Sequence, residues 1–92
     1  MKVTRTTLTL EGCEEDCIIV SNDSESVQVR ISTCYHYIGS NTLYLSEIID
    51  GELNSMEEQR MPDFCDELDD ITDREAIELA TEYSVYLYYG IN

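Results

Sequence analysis

Val27-Gln28-Val29-Arg30-Ile31-Ser32 decides the fold class. Val27, Val29 and Ile31 alternate with Gln28, Arg30 and Ser32. A period of two over this length belongs to a strand with one face buried. Upstream, Ser21-Asn22-Asp23-Ser24 is a turn preceded by the short apolar run Cys17–Val20, and Glu11-Gly12-Cys13-Glu14-Glu15-Asp16 is a longer polar turn. Before it, Lys2–Leu10 is rich in Val and Thr, residues that fit a pleated, half-buried surface. Downstream, the extended segment has room to run on through Tyr35–Ile38 to a turn at Gly39-Ser40-Asn41. Thr42–Ile49 is a further strand candidate, closed by Asp50-Gly51. The connections are short, which antiparallel strands permit and parallel ones do not, so the pattern predicts a meander.

The second half changes period. Pro62 suits the first turn of a helix, where its missing N–H costs nothing. Phe64, Cys65 and Leu68 give the apolar side of a short helix over about Pro62–Asp70. Thr72 and Glu75 have the spacing of a capping box. From there Ala76, Leu79, Ala80, Tyr83 and Leu87 form an apolar stripe at helical spacing, and Gly90 stands where such a helix stops. Ser84–Tyr89 fits a strand as well as a helix. The expectation is one α+β domain over residues 1–92. Residues 1–50 are mainly strands and 55–90 mainly acidic helices. A three- to four-stranded antiparallel sheet is followed by two C-terminal helices packed on one face.

Charge is the outlier. The 92 residues hold 20 Asp and Glu against five Lys and Arg, a net charge of −15. Residues 1–46 carry six acids and three bases; residues 47–82 carry fourteen acids and two bases. Self-repulsion of this size works against the compact state. Nucleic acid and anionic membranes are repelled by such a surface, whereas a basic protein surface complements it. The start, MKVTRTTLTL, has no apolar core of a signal peptide, and no apolar run approaches the length of a membrane span. The expected location is therefore the cytoplasm, with thiols reduced.

On the predicted helices the acids fall in rows. Asp63, Asp66 and Asp70 are spaced i, i+3, i+7, and Glu75, Glu78 and Glu82 repeat that spacing. Residues three and four apart share a helix face, about 5–6 Å between Cβ atoms. The phosphates of a DNA strand repeat about every 3.4 Å of axis. Rows of carboxylates at comparable spacing can engage Lys and Arg side chains suited to holding DNA. With Glu67 and Asp69, these residues form the candidate partner-binding set. In size, charge and helix-borne acid rows, mainly over residues 47–82, the chain resembles the small acidic inhibitors that phages encode against host defence, the anti-CRISPR and anti-restriction proteins. Several of those act as DNA mimics. The resemblance implies a non-enzymatic inhibitor acting in the host cytoplasm on a CRISPR effector, restriction enzyme or other nuclease, and it carries no individual residue role across. An immunity protein neutralising a basic toxin nuclease, and a plain acidic adaptor, use the same surface.

Other constellations are weaker. Cys13, Cys17, Cys34, His36 and Cys65 satisfy the ligand count of a zinc site, but Cys34-x-His36 is shorter than usual ligand pairs. Free thiols, a disulfide and a metal site all stay open for the four cysteines. His36 has no orienting acid placed by sequence, so no catalytic set emerges and neither metal nor cofactor is expected. The run Asp66–Asp73 lacks the glycine and acid order of a calcium loop. Tyr83, Tyr86, Tyr88 and Tyr89 cluster at the end. Tyr83 belongs to the core stripe, while Tyr86 and Tyr89 point elsewhere and suit the rim of a protein interface.

Overall fold

The computed structural model describes residues 1–10, 12–33, 42–62, 65 and 67–90, with the side chains of Leu8, Thr9, Leu10 and Cys13 left aside. Five strands, β1 (Lys2–Leu10), β2 (Cys13–Ser21), β3 (Val27–Thr33), β4 (Thr42–Ile49) and β5 (Glu52–Arg60), form one antiparallel sheet in the order β1-β2-β3-β4-β5. A 3-10 turn at Leu68–Asp70 and two helices, α1 (Asp73–Tyr83) and α2 (Val85–Tyr89), follow. This is the predicted α+β meander with one strand more than expected.

The alternation in β3 places Val27, Val29 and Ile31 at full burial. Register carries that pattern across the sheet. One row of paired residues runs Arg5, Ile18, Ile31, Leu45, Glu57; the next runs Val3, Val20, Val29, Glu47, Ser55. Each row is apolar at its centre and polar toward an edge strand. Hydrophobic burial is therefore concentrated over β2, β3 and β4, where the helices lie. Ala76, Ala80 and Leu87 from the helices, with Met61, Leu68 and Ile71 from the returning chain, close the core.

The fifth strand corrects the expectation that residues from 55 onward are mainly helical. Asp50 and Gly51 both adopt positive φ, the conformation that a tight hairpin between twisted strands requires. The register then shifts between Glu47 and Ile48: Ile48 faces Leu53, Glu47 faces Ser55, and Asn54 is the extra residue. This bulge puts Leu53 and Met56, three apart in sequence, on the same side of the sheet. It erases the period of two from the sequence and leaves an apolar spacing that imitates a helix.

The short helix expected over Pro62–Asp70 is a correction too. Pro62 and Cys65 are outside any helix, and only the 3-10 turn at its end is helical among the described residues. The carboxylates supply the reason. The Glu67 N–H donates to Asp70 Oδ2, so the acid spends its side chain on a tight turn. Short acidic side chains compete in this way with continued helix.

The long amphipathic segment is helical as predicted, but in two pieces. Thr72 caps α1, accepting from the Glu75 N–H, while the Glu75 carboxylate accepts from the Thr72 N–H. Ser84 interrupts the run with extended backbone (φ −113°, ψ 108°). Its hydroxyl accepts from the Leu87 N–H and donates to Glu47 Oε2. That hydroxyl both caps α2 and ties it to β4, and Gly90, at φ 82°, ends α2. Ser84–Tyr89, ambiguous in sequence, is thus one break followed by one short helix.

Candidate partner-binding face

Helices on one side divide the sheet into a helix side and an open side. Strand parity assigns each charged residue. On the helix side lie Glu14, Asp16, Glu47, Glu52 and Glu57 from the strands, joined by Glu67, Asp69, Asp70, Asp73, Glu75, Glu78 and Glu82. Arg5 and Arg74 are the bases there among the described residues. Arg5 donates to the Ile71 carbonyl and to Asp73 Oδ1 at 3.0 Å, holding the start of α1 against β1. Arg74 lies 3.4 Å from Glu78, one helical turn on. Both bases are therefore engaged within the chain, and acids outnumber bases twelve to two on this side among the described residues.

The predicted set divides by role. Glu67, Asp69, Glu78 and Glu82 are exposed on the helix side. Asp70 and Glu75 take part in local capping, Asp70 at the 3-10 turn and Glu75 at the start of α1. Their carboxylates support structure first. Asp63 and Asp66, like Cys34 and His36, lie outside the described residues. The row Glu75, Glu78, Glu82 stands on α1 as expected, whereas of the other row only Asp70 is among the described residues, and it lies in the 3-10 turn. Seven residues at about 1.5 Å rise make the α1 row about 10 Å long. That matches roughly three phosphate steps.

Sequence reasoning missed Glu57. It stands on β5 beside Leu45, facing the helix side and exposed. The Asp50-Gly51 hairpin signal was the clue, since a fifth strand there puts Glu57 and Leu45 side by side. At the end of α1 the Tyr83 hydroxyl meets Ser55 Oγ, so α1 runs across the sheet from β1 to β5. Beyond it Val85, Tyr86, Tyr88 and Tyr89 are all exposed while Leu87 is buried. The Tyr88 and Tyr89 rings meet edge to face, 4.7 Å between centroids. A rim of tyrosines thus follows directly on the acid row.

Cys17 is a buried free thiol, and the Cys65 thiol donates to the Asp70 carbonyl. They lie on opposite sides of the sheet: Cys65 packs against the core, while Cys17 pairs with Ser32 on the open side. One metal ion cannot gather both. Burial pushes the Cys17 thiol up from 9.0 to about 11, with Glu15 adding to the shift and Arg30 opposing it. A cleft of about 230 Å³ opens between β1, β2 and the 3-10 turn, lined by Arg5, Thr7, Asp16, Leu68 and Asp69 among others. It is smaller than the roughly 300–1,000 Å³ of common ligand sites. No helix among the described residues is long and apolar enough to cross a membrane. No protein-family model matches the chain, nor does any curated protein or solved structure.

Proposed function

We propose that this chain is a non-enzymatic acidic inhibitor. Its helix side docks on the basic nucleic-acid-binding surface of a defence effector or nuclease and keeps nucleic acid out. One observation carries the reading: apart from the buried Glu47, the helix side holds eleven carboxylates and two bases among the described residues, and both bases are engaged internally. Such a face attracts cationic grooves at long range and gains most where Lys and Arg replace its missing counter-charges. The tyrosines of α2 supply stiff, amphipathic contact area beside it. In kind this is the phage-encoded DNA-mimic inhibitor that the composition resembles.

The test is a charge reversal that leaves the capping carboxylates of Asp70 and Glu75 in place. Glu67, Asp69, Glu78 and Glu82 are changed together to Lys, and the variant is used to capture a basic partner alongside the wild type. The reading expects capture to be lost while the circular dichroism spectrum stays unchanged. Equal capture by the variant removes the acid row from the interface.

A further inference from the structure

The open side of the sheet differs from the rest of the molecule. Its rows run Thr4, Ile19, Arg30, Ser46, Met56, then Thr6, Cys17, Ser32, Tyr44, Glu58, then Lys2, Ser21, Gln28, Ile48, Leu53. Arg60 joins them opposite Thr42, and Glu15 opposite Leu8. Among the described residues three bases, Lys2, Arg30 and Arg60, thus stand against Glu15, Glu58 and the Glu25 carboxylate paired with Lys2. A chain of net charge −15 carries one face that is close to neutral. That face also holds Ile19 and Ile48, and leaves Leu53 58% and Met56 62% exposed.

Arg30 stands at the centre of this face. Its Nε is shut off from solvent and meets no hydrogen-bond acceptor. A buried donor left without a partner is costly, and more so when it is charged. Lys2, Arg5 and Arg74 each have a carboxylate within 4 Å in the same chain. Arg30 stays unmatched amid an excess of acid because its own side of the sheet offers few carboxylates.

We propose that the open side is the interface between two copies of this chain, packed sheet on sheet. The Arg30 guanidinium of each copy is paired with the Glu58 carboxylate of the other. Three observations converge on a second copy. Charge comes first: this is the side on which two chains of like charge can approach with least repulsion, since their acid-rich sides then face away from each other. Complementarity comes next: Arg30 and Glu58 share the face, two strands apart, so a two-fold axis that forms one such pair forms both. Area is the third. Five strands about 4.8 Å apart and seven to nine residues long, at about 3.4 Å each, offer a face of roughly 600 Å². Two such faces bury about 1,200 Å², the lower bound of specific interfaces. The inference is independent of the proposed function, because it rests on the other side of the sheet. If both hold, the dimer displays two acid faces pointing in opposite directions.

Sedimentation velocity on the full chain at physiological ionic strength, over a concentration series, is the experiment. A concentration-dependent dimer is expected. Arg30→Glu weakens it about tenfold or more, and the exchange Arg30→Glu with Glu58→Arg restores it. Met56→Lys, at a position already exposed in the single chain, gives a folded monomer and covers the case in which Arg30→Glu fails to fold. A wild type that stays monomeric throughout overturns the proposal. So does a dimer indifferent to Met56→Lys, or an exchange variant as weak as the single Arg30→Glu change where that variant folds.

Discussion

Glu47 shows how one residue is recruited to hold three elements. It sits on β4, 5% exposed, and accepts from Asn54 Nδ2 of β5 and from the Ser84 hydroxyl ahead of α2. Its burial was hidden in the sequence, where it reads as one more acid at the head of the −12 segment. Partners 7 and 37 residues away cannot be inferred from spacing. Glu47→Ala strands the buried Ser84 hydroxyl, while the exposed Asn54 amide turns to water, and is expected to cost about 1–3 kcal/mol in urea denaturation. Cys17 makes a different prediction. Its thiol pKa is raised on folding, chiefly by burial, so the folded chain holds the proton longer than the unfolded chain does. The contribution is complete below pH 9.0 and is lost as pH climbs through about 11. Wild-type stability should fall over that window by an amount on the order of 2 kcal/mol beyond that of Cys17→Ala. Parallel pH profiles for the two proteins would refute this account of the thiol.

Among the elements, β3 and α1 were legible because local rules and tertiary context agree there. Val27, Val29 and Ile31 alternate and are buried, and Thr72 with Glu75 forms the capping box that the spacing announces. Thr72→Ala removes one side of that box and is expected to lower stability by about 1 kcal/mol, read from the thermal midpoint. β5 was not legible. Its bulge at Asn54 breaks the alternation, and as an edge strand it buries too little apolar surface to show a pattern. Glu52, Glu57 and Glu58 instead guard an edge that would otherwise pair with other chains. The acids of Pro62–Asp70 misled for the opposite reason. Their spacing is helical, yet the Asp70 side chain serves a tight turn. Half the candidate site was therefore readable: the α1 row stands on its helix, and Glu57 needed a strand that the sequence concealed.

For the whole molecule, charge sets the behaviour. The chain measures 40 × 30 × 19 Å, so at roughly 0.01 M salt, where screening reaches about 30 Å, nearly every carboxylate feels every other. Stability should rise as salt increases to about 0.15 M, where the reach falls to about 8 Å, while the fold persists in dilute buffer. Thermal melts across that series check it; a chain that unfolds outright in dilute buffer is instead a salt-adapted protein, and its acids need no partner. The central claim is that the helix side takes the place of nucleic acid on a basic protein. The most direct measurement is competition on the captured partner, with labelled duplex DNA displaced by this chain across a salt series. The account predicts mutually exclusive binding, with an affinity that falls steeply as salt rises and is lost with the four-residue charge reversal. A partner that holds DNA and this chain together, with salt-independent affinity, would contradict it.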